Sequence, residues 1–165
     1  MPLLEIKKYP HLALRKKSEE IKEINLGIKQ LGSDMLQTMY ENQGCGLAAP
    51  QVGIGKRMIV VDAGSGPIIL VNPEIVAKSR ETVVEEEGCL SLPGILVKVK
   101  RAREIEVKGI RLPEKKEVCL KVSGLLSVAF QHEIDHLDGI LILDKAGPLK
   151  KWQLEKTLRR GSHKF

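Results

Sequence analysis

Gln131-His132-Glu133-Ile134-Asp135-His136-Leu137 is the stretch whose reading decides the fold. Histidines four apart lie one above the other on one face of an α-helix, so both imidazoles reach a single metal ion. Glu133, one residue along, leans over the open side of that metal as a base. Ser123 is a good N-cap, and from it the pattern predicts a helix of about 18 residues. Its first turns are apolar at Leu125, Leu126, Val128, Ala129 and Phe130, which predicts burial, and Gly139 loosens its end. The alternative is a surface helix with a chance HExxH. The rest of the chain must therefore supply a third ligand, a substrate groove and a charge stabiliser.

Upstream of this helix the chain reads mainly as strands. Arg57–Asp62 and Ile68–Asn72 flank a turn at Gly64–Pro67, and Pro73 closes the second of them. A further extended stretch over 75–84 runs into the acidic Glu85-Glu86-Glu87, and Gly88–Gly94 breaks the pattern. Leu96–Lys100 and Glu104–Lys108 alternate as half-buried strands do, 111–116 is a turn, and Glu117–Val122 is one more strand. Asn25 caps a helix over 25–42 that buries Ile28, Leu31, Met35, Leu36 and Met39. Pro2 and Tyr9-Pro10 disfavour a continuous helix before it, leaving one short turn over 12–17. Gly44–Gly53 is neither a regular helix nor a long strand. Its small residues either leave backbone open to another chain or form an ordinary turn. Residues 149–160 read as a basic helix and 161–165 as a frayed end.

With 165 residues and 18.3 kDa, the chain suffices for one domain with its own core, expected over 1–148 with 149–165 as a basic appendage. Aromatics are only 3 %, so that core must be built from Ile, Leu and Val. The most apolar runs are too short to cross a membrane, and the N-terminus has no signal-peptide core, which predicts a cytoplasmic protein. Three cysteines, Cys45, Cys89 and Cys119, make no disulfide framework and point to free thiols or metal ligation. The net charge of +6 is weighted toward the C-terminus, at Lys145, Lys150, Lys151, Lys156, Arg159, Arg160 and Lys164, which suits either nucleic-acid contact or solubility.

Among third ligands, Cys119 shares a strand face with Glu117 and Lys121 and should meet solvent. Cys45 sits where its backbone looks more useful than its thiol, and His11 and His163 lie near the termini. Cys89 follows the acidic run at a bend, where it can be aimed inward; the alternative for it is a buried, inert thiol. A thiolate with two imidazoles leaves a divalent ion with net charge near +1, which still acidifies water and polarises a carbonyl.

Three segments together resemble the signature motifs of the peptide deformylase family, in its order and spacing: Gly44–Gln51, Glu87–Ser91 and Gln131–Leu137. The likeness extends over about residues 1–150. It implies an α+β fold of mixed, mainly antiparallel strands wrapped around a central C-terminal helix. The implied reaction is hydrolysis of the N-formyl group from newly made polypeptides that begin with formylmethionine, releasing formate. By the same resemblance Cys89, His132 and His136 hold the metal, Fe(II) in most relatives, with Zn, Ni or Co able to occupy the site. Glu133 takes a proton from water and returns it to the leaving amine, while the Gln51 amide and the Leu90 backbone N–H stabilise charge on the formyl oxygen. Gly44, Cys45 and Gly46 pair with the peptide backbone, and Cys45, Val128, Ala129 and the His132 ring line the methionine pocket. The implied partners are the formylated nascent peptide and, through the basic helix, the ribosome, or else that helix is merely solvated. A monomer is expected.

Three positions depart from the family pattern: Cys45 stands where Ile or Val is usual, Glu85 where an apolar residue is common, and Leu96 where an arginine or aromatic is frequent. These bear on substrate preference, not on the chemistry. Glu87 and Arg101 are read as partners steadying the Cys89 loop, with a surface ion pair as the alternative. Asp135 is read as structural. Two other functions fit parts of the pattern. An HExxH peptidase would usually need a third His or Glu ligand downstream, and the only histidine after His136 is His163, in the tail. A metal-stabilised module binding nascent chains or ribosomal RNA would make Glu133 dispensable.

Overall fold

The computed structural model describes residues 3–161. Pro2, His163, Lys164 and the frayed end from residue 162 onward lie outside the described residues. A five-stranded antiparallel sheet runs in the order β1 (Gly46–Ala48), β2 (Met58–Val61), β3 (Ile68–Lys78), β6 (Glu104–Leu112), β7 (Lys116–Ser123). A separate antiparallel hairpin joins β4 (Thr82–Cys89) to β5 (Leu92–Ala102). The helices are α1 (Leu26–Glu41), α2 (Gly124–Leu137) and α3 (Pro148–Gly161). The expected α+β arrangement holds: α2 packs against both sheets and carries both histidines.

Strand β2 shows why. All four of its residues are buried, because both faces of the sheet are covered. Ile59 and Val61 meet Phe130, Ile134 and Leu137 of α2 on one face. Met58 and Val60 meet Met35 and Met39 of α1 on the other, where the Asn25 side chain accepts from the Ile28 N–H and starts the helix as expected. Burying Phe130 completely contributes ~2–3 kcal/mol. A third cluster packs β5 residues Leu92, Ile95, Val97 and Val99 against Leu14 and Leu141–Leu143, so the hairpin is held by two short 3-10 turns at 12–15 and 142–145.

Four details differ from the sequence reading. Strand β3 does not close at Pro73 but runs on to Lys78, because a register shift between Val71 and Glu74 falls where proline has no N–H to pair. Next to that shift, Asn72 takes a left-handed conformation and its side chain bonds both the N–H and the C=O of Ile21. Gly88–Gly94 is no open loop: a bulge between Glu87 and Cys89 and a tight turn at Leu90-Ser91 lead straight into β5. Helix α2 has 14 residues rather than about 18. It stops because Gly139 is left-handed (φ 73°) with the Arg15 carbonyl 2.6 Å from where a Cβ would sit. Finally Leu125, expected in the core, is 68 % exposed.

Beside that helix end, Asp144 ties the 142–145 turn to the rest of the fold. Partial burial works against its charge, but hydrogen bonds from Arg15 (2.6 Å), the Leu141 N–H (2.9 Å) and Lys151 outweigh it and hold the carboxyl at about 2. A folded-state pKa below the unfolded value adds stability above pH ~4 and loses it as pH falls toward 2. With solvent screening discounted, this is worth about 1 kcal/mol. In urea unfolding, Asp144→Asn should therefore be less stable than wild type by about that amount at pH 6. The gap should close near pH 2; a gap independent of pH would show that the ion pairs contribute nothing.

Candidate active site

Helix spacing sets the first two donors. His132 Nε2 and His136 Nε2 lie 3.2 Å apart, and Cys89 Sγ, turned inward by the bulge that ends β4, lies 3.4 Å from His136 Nε2. The three donor atoms all fall within 4.8 Å of one another. His132 Nδ1 donates to Glu87 Oε1 at 2.9 Å, which leaves the Nε2 lone pair aimed at the cluster. Such a set, a soft sulfur with two imidazole lone pairs converging in a buried place, repels itself unless a cation sits among it. The donor chemistry fits a divalent transition metal. The protonation balance has the same cause. Burial opposes charge on both rings, yet hydrogen bonds to Cys89 and Glu87 and the charge of Glu133 push His132 well up. Burial and the His132 charge push His136 well down. Its Nδ1 has no hydrogen-bond partner among the described residues.

Behind His132, the Arg101 guanidinium grips Glu87 with two bonds, Nε to Oε2 at 2.9 Å and Nη2 to Oε1 at 3.0 Å, and donates through Nη1 to Asp135 at 2.5 Å. The structure thus brings Glu87 and Arg101 together in the interior rather than at the surface, 7 % and 5 % exposed. Burial resists the charge on Glu87, but the His132 and Arg101 bonds outweigh it and lower its pKa.

Glu133 is 4 % exposed, and its Oε2 has no partner among the described residues. Burial pushes its carboxyl up to about 7, with the His132 charge working the other way. Its side chain lies flat against Gly46, where a Cβ would come within 2.5 Å of Oε1. A glycine at that place is what lets the carboxylate sit beside β1. Gln51 is fixed at both ends of its amide. The Ala48 N–H donates to Oε1 at 2.9 Å, while Nε2 donates to Ser91 Oγ at 3.1 Å and lies 3.5 Å from Cys89 Sγ. Ser91, fully buried, had no role in the sequence reading; its position two residues after the metal-facing cysteine was the available signal.

These groups open on a groove of about 1300 Å³. Its walls include Gly44–Gly46, Glu85–Leu90, Val128 and Ala129, so every residue expected to bind substrate lines it, as do Gln51, Leu90 and the exposed Leu125. Among the described residues β1 pairs only with β2, and β4 only with β5, so each has a second edge that no described strand pairs. Asp62 N–H donates to the Cys45 carbonyl at 2.9 Å and extends the β1–β2 pairing to that residue. Cys119 is exposed on β7, outside the donor cluster, and His11 caps the 12–15 turn by accepting from the Ala13 N–H. No helix among the described residues is long and apolar enough to cross a membrane.

A family model described as polypeptide deformylase matches residues 3–152. The peptide deformylase of Thermodesulfovibrio yellowstonii is 49 % identical over 164 residues, covering 96 % of this chain and 98 % of its own. The crystal structure of peptide deformylase from Ehrlichia chaffeensis in complex with actinonin matches with a TM-score of 0.93 at 35 % identity, over 98 % of both chains. That of the Thermotoga maritima enzyme matches at 0.86 and 40 % identity, over 90 % of this chain and all of the other. Fold and donor set define a metal-dependent hydrolase. The chain belongs to the polypeptide deformylase family.

Proposed function

We propose that this chain removes the N-formyl group from formylmethionine at the start of new polypeptides with Glu133 as the proton carrier, and that Cys89 Sγ, His132 Nε2 and His136 Nε2 hold its metal. The observation that carries this is the convergence of those three donors beside a buried carboxyl whose Oε2 is unpartnered among the described residues. Fe(II) is the ion the family likeness favours, with Zn, Ni or Co as substitutes. When bound, the ion supplies Lewis acidity toward water and the formyl carbonyl. Glu133 accepts the proton of the attacking water on its carboxylate and passes it to the amine nitrogen as formate leaves. Gln51 Nε2, held by Ser91 from one side, and the Leu90 N–H donate to the formyl oxygen as charge gathers there. Glu87, clamped by Arg101, keeps His132 in the tautomer that presents Nε2.

The peptide enters extended, as a strand between the open edges of β1 and β4, with Gly44–Gly46 supplying backbone pairing that ignores side chains. Its methionine lies against Cys45, Val128, Ala129 and the His132 ring. The donor set and Glu133 are complete within this chain, which supports a monomer as the working unit, and a substrate that is a newly made formylated chain supports a cytoplasmic location.

The test is formate release from formyl-Met-Ala-Ser by the Fe(II)-loaded protein; no release would end this reading. Cys89→Ser should lower bound metal at least tenfold. Loss of metal in Cys119→Ser instead would discard the ligand set.

Residues 1–148 would carry the chemistry and α3 an accessory contact. Leu154 and Leu158 pack inward, while Lys150, Lys156 and Arg160 are exposed, a face suited to ribosomal RNA. Changing those three to glutamate should weaken pelleting with ribosomes and leave hydrolysis of the short peptide intact. Unchanged pelleting would leave the helix as solvated surface.

A further inference from the structure

On the far side of Arg101 from Glu87 and His132 a second cavity, of about 290 Å³, opens toward Asp135. Five elements meet there: the end of β3 with Lys78 and the Ser79 that follows it, the start of β4 with Thr82, β5 with Lys100 and Arg101, α2 with Gln131 and Asp135, and the 142–145 turn with its last residue, Lys145. Four cations face one carboxylate. Asp135 is already engaged by Arg101, and Lys145 stands 3.9 Å from it. Lys78 and Lys100 form no ion pair with any described residue, and the Thr82 hydroxyl no hydrogen bond with one. The inner wall is built rather than accidental: Arg101 and Gln131 are each 5 % exposed. Gln131 is held by Ala102 and Ser127, and Arg101 spends three N–H donors on Glu87 and Asp135, leaving two of its five. A recess whose cations outnumber its one carboxylate concentrates counter-ions, and guanidinium and ammonium donors together match tetrahedral oxyanions.

We propose that this cavity binds a compact, multiply charged oxyanion of the phosphate class, at a site separate from the substrate groove. The ligand is either free phosphate or a phosphodiester of RNA, since both present the same oxygens. Inorganic phosphate titrated into the metal-loaded protein at fixed ionic strength should raise Tm saturably, by about 3–5 °C at tenfold its Kd. Chloride and acetate should not. Lys78→Gln with Lys100→Gln should abolish the rise, and Lys116→Gln, at the start of β7, should keep it. Phosphate should leave KM for formyl-Met-Ala-Ser unchanged, because the groove is not its site. A six-nucleotide RNA assayed in parallel decides the source: binding lost in the double variant marks a phosphodiester, and binding of phosphate alone marks the free ion. An equal shift with chloride, a shift that survives the double variant, or competition with the peptide would overturn the proposal.

Discussion

Glu133→Gln should lower formate release from formyl-Met-Ala-Ser by ~10²–10⁴-fold while leaving bound metal unchanged. The amide fills the same volume, so the close packing against Gly46 survives and the change is confined to proton affinity. Burial pushes the Glu133 carboxyl up to about 7, so near neutral pH it exists in both protonation states and can accept a proton and return it. An amide does neither. Glu133→Ala should lose as much activity, but it empties space beside β1, so the isosteric change is the cleaner measurement. Activity within threefold of wild type, with metal retained, would remove Glu133 from the mechanism and revive a role in binding alone.

What was legible in the sequence followed from short-range geometry. His132, Glu133 and His136 are placed by helix periodicity, and α1 by its cap and apolar spacing. Cys89 was harder. Its direction depends on a bulge, and only the bend at Gly88 hinted at it. Contacts between distant segments were illegible for a different reason. The Gln51–Ser91 bond spans 40 positions and leaves no local pattern. Pro73 misled because a proline normally ends a strand, yet it falls at a register shift where no N–H is wanted. Leu125 misled because an apolar residue at the rim of a groove has the same spacing as one in the core. The Glu87–Arg101 pair could be named, but not whether it lay inside or outside, since that depends on β5 sitting behind α2.

Arg101→Met should destabilise the fold by ~3–5 kcal/mol, because it leaves the Glu87 carboxylate buried with the His132 Nδ1–H as its one remaining partner among the described residues. For a chain of this size that is a fall in Tm of roughly 6–20 °C. The cost belongs to the abandoned charge, not to the pair, and a second variant separates the two. Glu87→Gln with Arg101→Met removes both charges and should recover part of the loss, so the double variant should be more stable than Arg101→Met alone. Catalysis should not recover with it. An uncharged amide in place of the Glu87 carboxylate holds His132 less firmly, and metal affinity or activity should stay 10–100-fold down in the double variant. Arg101→Lys tests geometry apart from charge: one ammonium cannot bond both Glu87 oxygens and Asp135 at once, so it should rescue stability only in part. Urea unfolding of metal-free and metal-loaded protein reads both effects. If Arg101→Met lies within about 1 kcal/mol of wild type, Glu87 is protonated or hydrated inside the fold, and the clamp on His132 is weaker than its distances imply.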